Sequence, residues 1–299
     1  MGRRLMSAGL SVIIPCRNAA GTLGRQLEAL AGQPRADLVE IIVADNGSRD
    51  ATVEVARECS ARLRMPEVRV IDASARAGAS FARNCGAAHA RGDRLAFCDG
   101  DDVVGPEWIK AMSAALSRFA IVTGPLIYGT LNESWVVDSR RSTHEDPSKR
   151  APTAGWMPFA IGANVGTTRA AFDAVGGFDE SMPASEDIDF SWRVQLTGGT
   201  FHFEPRAVVH YHLRHSLGAI FRQARFYAQW YVCLVRKHAA AGCPHEPMTP
   251  RMVARKWKRT LVHLPRRIGH RAGRAQLIFE IGTHLGRMQG SVRFKYGVP

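Results

Sequence analysis

Three carboxylates, Asp99, Asp101 and Asp102, stand within four residues at the end of the short apolar run Leu95-Ala96-Phe97-Cys98. Such a run reads as a buried strand whose carboxyl end opens into a site, which is where open α/β sheets place their ligands. Aspartate oxygens are hard ligands suited to Mg²⁺ or Mn²⁺, and these ions usually keep water and phosphate oxygens as further ligands. A metal-bound diphosphate is therefore the leading expectation for this cluster. An EF-hand loop is excluded, because Val103 and Val104 stand where further Asp, Asn and Gly are needed. A solvated turn with helix-capping aspartates ahead of Pro106 is the plain alternative.

A second acidic group, Ser185-Glu186-Asp187, lies 86 residues beyond Asp101 and opens a segment with helical character to about Leu196. The helix dipole stabilises a carboxylate at an N-terminus in its ionised form, so it can serve as a base in a dry site. The competing reading is a capping box without chemistry. His210, in Val208-Val209-His210-Tyr211-His212, is a candidate imidazole ligand for the metal, ahead of His212. Arg76 and Arg83 flank the start of a helix near Gly78 and suit bidentate phosphate binding, with surface arginines as the alternative. No phosphate-cradling glycine loop of the Walker or dinucleotide type follows a strand.

These groups need a frame. Strands are expected at Leu10–Pro15, Val39–Ala44, Val68–Ile71 and Arg94–Cys98, alternating with helices at Thr22–Ala31, Ala51–Arg62 and Gly78–Ala90. Four βα-type units predict a mostly parallel, helix-covered α/β sheet. Pro15 to Asn18, Asp45 and the aspartate cluster then all fall at carboxyl ends of strands. A helix from Pro106 to Ser117, with Pro106 in its first turn, and a strand from Ile121 to Leu126 follow. Residues 132 to 153 read as a mobile loop, Ala174 to Asp179 as a turn, and Thr200–Phe203 and Ala207–Tyr211 as short strands. Leu217 to His238 has the spacing of an amphipathic helix, and the remainder from Pro250 is basic and helical with a break at Pro265.

Among 299 residues, 45% are hydrophobic and 22% charged, a globular composition. The net charge of +13 is concentrated: residues 201–299 hold 18 Lys and Arg against 3 Asp and Glu, leaving 22 against 24 before them. A basic third implies an anionic partner, whether nucleic acid, an acidic membrane surface or a polyanionic substrate. No recognised nucleic-acid motif accompanies it, so nucleic acid is the weakest of these. The six cysteines are scattered without zinc-like spacing and read as reduced thiols of a cytoplasmic protein. The apolar run Leu10 to Ile14 is too short for a signal peptide, Met6 spoils a myristoylation match at Gly2, and Ala151 to Thr168 is too polar for a membrane span.

The pattern Asp99-Gly100-Asp101-Asp102-Val103 resembles the nucleophile motif of haloacid-dehalogenase-type phosphatases, with Asp99 as nucleophile, although that motif normally sits on a first strand and three βα units precede it here. More of the chain resembles family 2 glycosyltransferases of the GT-A fold. The resemblance is carried by Ser11-Val12-Ile13-Ile14-Pro15-Cys16-Arg17-Asn18, Val43-Ala44-Asp45-Asn46-Gly47-Ser48, Ala82-Arg83-Asn84-Cys85-Gly86, Phe97 to Asp102, Gly176-Gly177-Phe178-Asp179-Glu180 and Ser185-Glu186-Asp187. It implies an inverting, metal-dependent transferase over residues 8–215 that uses a nucleotide-sugar donor, UDP-sugar first, and a glycan, lipid-linked or small-molecule acceptor; a non-catalytic nucleotide-binding protein of the same fold is the further alternative. It also implies that Pro15, Arg17, Asn18 and Asp45 meet the nucleotide, Asp99 the ribose or metal, and Asp101 and His210 the metal as Mn²⁺ or Mg²⁺. Asp187 would be the base, supported by Glu186. Arg17 replaces an aromatic residue that stacks on the base in many relatives. Residues 216–299 lie outside the motifs, as a basic helical appendage suited to the inner face of an anionic membrane, with a solvated basic bundle packed on the catalytic domain or an oligomer contact as the alternative.

Overall fold

In the run Leu10 to Ile14 only Ser11 is polar, and this run becomes the buried centre of a sheet. A computed structural model describes residues 7–34, 36–65, 68–141, 155–244 and 249–298. Strand β1 (Ser7–Cys16) lies parallel to β2 (Leu38–Asp45) on one side and β4 (Gly92–Cys98) on the other, with β3 (Val68–Asp72) parallel to β2 at the edge. The alternation of side chains along each strand sorts the core into two layers. Leu10, Val12, Ile14, Ile41, Val43 and Ala96 pack with helices α1 (Leu23–Ala31), α2 (Thr52–Arg62) and α4 (Trp108–Leu116). Ile13, Ile42, Leu95 and Phe97 pack on the other face with Phe172 of α6 (Arg169–Ala174) and Phe190 and Val194 of α7 (Glu186–Leu196). Helix α3 (Ala79–His89) comes so close to β1 that a Cβ on Gly86 would collide with Ile13.

The sheet continues as β3-β2-β1-β4-β8-β6-β9, where β8 (Asn164–Thr168) is antiparallel to both β4 and β6 (Ile121–Thr123), and β9 (Phe201–Phe203) is parallel to β6. A second sheet has the order β5-β10-β7, from β5 (Val103–Val104), β10 (Val209–His210) and β7 (Leu126–Ile127). The expected strand Ile121 to Leu126 is thus two strands in different sheets. Gly124 and Pro125 separate them: a Cβ on Gly124 would collide with the Ala207 carbonyl, and Pro125 has no N–H for a ladder. Two further expectations are corrected. Pro106 lies ahead of α4, whose N-cap is Glu107, and the loop expected over 132–153 contains helix α5 (Ser134–Arg141). Its remaining residues, 142–153, lie outside the described residues.

The chain divides into two compact units, one of Met1–Thr130 and Pro147–His212, the other of Leu131–Asp146 and Leu213–Pro299. The first holds both sheets. The second is helical, built from α5, α8 (Leu217–His238), α9 (Pro250–Val262), α10 (Leu264–Ile268) and α11 (Arg271–Phe294). Within it α11 presses glycines Gly282, Gly286 and Gly290, one per turn, against the backbone of α8, where a Cβ would strike Phe221 O, Arg225 O and Gln229 O. Among the described residues no helix is long and apolar enough to cross a membrane. All six cysteines are free.

Candidate active site

The loops after β1 and β2 are stitched into one edge by polar contacts. Asn18 sits in the left-handed region at φ 54°. Its N–H donates to Ser48 Oγ (2.9 Å), and its side-chain oxygen accepts from Arg49 N (2.8 Å). The half-buried Asp45 carboxylate accepts from Ser48 N at 3.3 and 3.4 Å. Asn46 extends the edge to the next loop, accepting from Gly78 N and donating to the Arg76 carbonyl. Pro15, Asn18 and Asp45 therefore share one rim, and Arg17 beside them is exposed.

Next to that rim, Asp99, Asp101 and Asp102 each present an oxygen within 4.8 Å of the others. Buried Gln26 of α1 fixes this loop by donating to the Asp99 carbonyl (3.1 Å) and accepting from Val104 N (2.9 Å). Gly100 is required where the loop crosses Cys16, since a Cβ would lie 2.8 Å from its sulfur. Asp102, 1% exposed, accepts from the backbone N–H of His212 (2.7 Å). The His212 ring nitrogen Nδ1 lies 4.0 Å from Asp101 Oδ2. His210, the imidazole expected at the metal, has Nδ1 2.9 Å from Thr130 Oγ1, which leaves Nε2 for a ligand, and burial lowers its pKa. Three converging hard oxygens with an imidazole alongside are a donor set that would suit a hard divalent ion of the Mg²⁺ or Mn²⁺ kind.

Arg83 links this cluster to the second acidic pair. Its side chain is 5% exposed, with Nη2 donating to Asp99 Oδ1 (2.9 Å) and Nη1 to Glu186 Oε1 (2.8 Å). Burial alone would lower its pKa, but the charges of Asp99, Glu186 and Asp187 outweigh it, so the guanidinium stays firmly ionised. Asp187, in the first turn of α7, accepts from Gly162 N (2.9 Å) and Ile188 N (2.8 Å). Burial raises its affinity for a proton against the pull of those donors and of Arg83. Burial and the Asp187 charge push Glu186 up to about 7, with Arg83 opposing. Ser185 does not cap the helix through its hydroxyl; it takes a left-handed conformation (φ 61°) that turns the chain into α7.

The turn before α7 is held from two sides. Asn84 of α3 accepts from Phe178 N and donates to the Phe178 carbonyl, while Arg193 donates to the Val175 and Gly177 carbonyls and pairs with fully buried Asp189. Gly176 and Gly177, at φ 71° and 73°, supply the backbone this needs. Arg76, expected on a diphosphate, is exposed and pairs with Glu180 (2.8 Å), and Arg83 is committed to two carboxylates. Gln26 and Gly162 are participants that sequence reasoning missed. Gln26 carried a signal, a polar residue on the same helical face as Leu23, Leu27 and Leu30; Gly162, in an uncharged stretch, carried none.

Comparison with known proteins follows the same lines. The model of the family described as Glycosyl transferase family 2 matches residues 11–176, and that of Glycosyl transferase family group 2 matches 95–269. The chain is 27% identical over 254 residues to a pre-mycofactocin glycosyltransferase of Mycobacterium tuberculosis, covering 79% of this chain and 49% of that protein. It is 31% identical over 220 residues to a validoxylamine A glucosyltransferase of Streptomyces hygroscopicus, covering 63% and 52%. The chain thus spans about half the length of these curated relatives. Among solved structures, a Pyrobaculum calidifontis mannosyltransferase in complex with GDP-Man and Mn²⁺ superposes with TM-score 0.59 at 17% identity, over 95% of this chain and 90% of that one. S. aureus TarS in complex with UDP-GlcNAc gives 0.56 at 15%, over 96% and 92%. These likenesses establish a GT-A glycosyltransferase fold.

Proposed function

This chain belongs to glycosyl transferase family 2, and from that premise we propose that it moves a sugar from a nucleotide-diphosphate sugar to an acceptor hydroxyl with inversion at the anomeric carbon. The observation that carries the reading is the convergence, at the carboxyl ends of β1, β2 and β4, of the Asp45 rim and the aspartate cluster, joined through Arg83 to the Glu186-Asp187 pair. UDP-sugar is the leading donor. The acceptor is a glycan, lipid-linked or small-molecule hydroxyl, in keeping with polysaccharide biosynthesis, and the basic second unit is assigned to an anionic surface on the cytoplasmic side of a membrane.

Pro15, Arg17, Asn18 and Asp45 bind and orient the nucleoside. Asp99 and Asp101 are assigned to a divalent cation, with His212 the imidazole nearest to Asp101 and His210 the sequence-expected alternative. When bound there, Mn²⁺ or Mg²⁺ offsets negative charge on the departing diphosphate. Asp187 takes the proton of the acceptor hydroxyl as its oxygen bonds to the anomeric carbon, and the bond to the diphosphate breaks with its electron pair leaving on the nucleotide. One displacement requires no covalent intermediate, so the configuration inverts. Glu186 acts from behind, holding Arg83 and through it Asp99. The phosphatase alternative loses ground because Asp99, its nucleophile, is ion-paired to a buried guanidinium.

Calorimetric titration with UDP and with GDP, each with Mn²⁺ and again with excess EDTA, tests the donor and metal assignments. Metal-dependent binding of one nucleotide is expected. Asp187→Asn should retain that binding and lose sugar transfer; transfer that survives Asp187→Asn refutes the base assignment.

A further inference from the structure

The second unit carries its charge unevenly. From Thr249 to Phe279 there are nine Lys and Arg and no Asp or Glu. Helix α9 sorts these residues by face. Met252, Val253, Lys256, Trp257 and Thr260 recur at helical spacing and are buried or half-buried, and Thr260 bonds to Glu280 and His284 of α11. The opposite face, also at helical spacing, begins with exposed Arg251, Arg255 and Lys258 and ends with Leu261 and Val262. Those two are 55% and 62% exposed, and Ile268 of the adjoining α10 is 51% exposed, with Arg266 between them in the chain. Isolated exposed aliphatics are ordinary; three within eight residues, in the most basic stretch of the chain, form a pattern that asks for a partner both anionic and apolar.

We propose that the outward face of α9 and α10 seats on an anionic lipid bilayer, with Leu261, Val262 and Ile268 entering the boundary between headgroups and acyl chains and Arg255, Lys258 and Arg266 engaging lipid phosphates. Anionic bilayers offer both features at one plane: negative charge at the surface and hydrocarbon just beneath it. A nucleic acid or acidic glycan would satisfy the arginines and leave the aliphatic tip in water. A second copy of this chain would bring the same uncompensated positive face, since residues 201–299 hold only 3 acidic residues against 18 basic ones. The proposal narrows the membrane assignment of the basic unit made above and rests on it, but it does not rest on the transfer chemistry.

Flotation of the full chain with vesicles of phosphatidylcholine alone, or mixed with phosphatidylglycerol, tests it. Binding is expected only to the anionic vesicles. A Leu261→Ser/Val262→Ser/Ile268→Ser variant should keep the wild-type melting temperature and nucleotide binding while partitioning about tenfold or more weakly. An Arg255→Glu/Lys258→Glu/Arg266→Glu variant should not bind at all. If the serine variant floats as well as the wild type, charge alone holds the protein and the tip is not an insertion site. If the wild type binds neither vesicle, the membrane assignment itself falls, whereas nucleotide titration judges the transferase reading separately. Sedimentation showing self-association that the serine substitutions abolish would assign the face to a second copy and overturn the proposal.

Discussion

Arg83→Met removes one cation from between two carboxylates while keeping much of the side-chain volume. Arg83 is 5% exposed, Glu186 12% and Asp99 29%, so the larger loss falls on Glu186, which has less access to water. Taking one partner from a buried ion pair costs about 3 to 5 kcal/mol, because the other charge is left uncompensated. Asp99 retains solvent, which favours the lower end. At about 3 kcal/mol, the transition of a unit of this size should fall by 6 to 12 °C. The penalty should also depend on pH. Glu186 already holds its proton up to about pH 7 with Arg83 in place, and without Arg83 it will hold it higher still. A protonated Glu186 needs no counter-charge, so the loss should be smaller at about pH 6 than at about pH 8. Calorimetric melting of Arg83→Met, alone and combined with Glu186→Gln, at both pH values reads this directly. The double variant should recover part of the stability at the higher pH and none of the transfer activity. A single variant that melts with the wild type, or a double variant no more stable than the single one at either pH, would refute the bridge as a stabilising element.

In the wild-type background, Glu186 has a folded-state pKa above its unfolded value, so the stability it contributes is present below about pH 4.5 and is lost as pH rises through about 7. Glu186→Gln should therefore gain melting temperature relative to the wild type between those limits; a constant offset across a pH series would contradict this. His212→Ala should weaken Mn²⁺-supported nucleotide binding roughly tenfold, and His210→Ala should weaken it much less; titration giving the reverse order would favour His210 as the ligand. Gly86→Ala forces a Cβ into Ile13, which is fully buried, and should destabilise the first unit by about 1 to 3 kcal/mol. An unchanged denaturation midpoint would show that α3 can withdraw from β1 without cost.

The first half of the fold was legible because its strands are short, apolar and punctuated by polar clusters: β1, β2, β3 and β4 and helices α1, α2 and α3 lie within three residues of their expected limits. The same feature pointed to the candidate site, since Asp45 and Asp99 to Asp102 end or follow those strands. Legibility failed where tertiary contacts replace local pattern. Strand β8 reads Asn-Val-Gly-Thr-Thr, with Asn164 pinned by Trp108 and the Ala207 carbonyl and Gly166 fitted against Met112 and Leu116; none of those partners is near it in sequence. Arg83 was visible as a cation near the site, but its two carboxylates lie 16 and 103 residues away, so its use as a bridge was not. The two histidines differ by the hydrogen bond each makes, Thr130 to the His210 ring and Asp102 to the His212 backbone, and spacing alone does not distinguish them.

The break at Gly124 and Pro125 has a consequence for how such a site can be lost. Because β6 stays in the large sheet and β7 crosses to the small one, β10 is clamped with His210 opposite both Val103 and Ile127. That register delivers His212 to Asp102. Deleting one residue between Ile127 and Val209 near either strand would remove no carboxylate, no imidazole and no recognisable pattern, yet a slip of one position would turn alternate side chains to the opposite face. The candidate metal corner is therefore encoded partly as a count of residues, and a descendant gene could keep every letter of its motifs and still lose the arrangement.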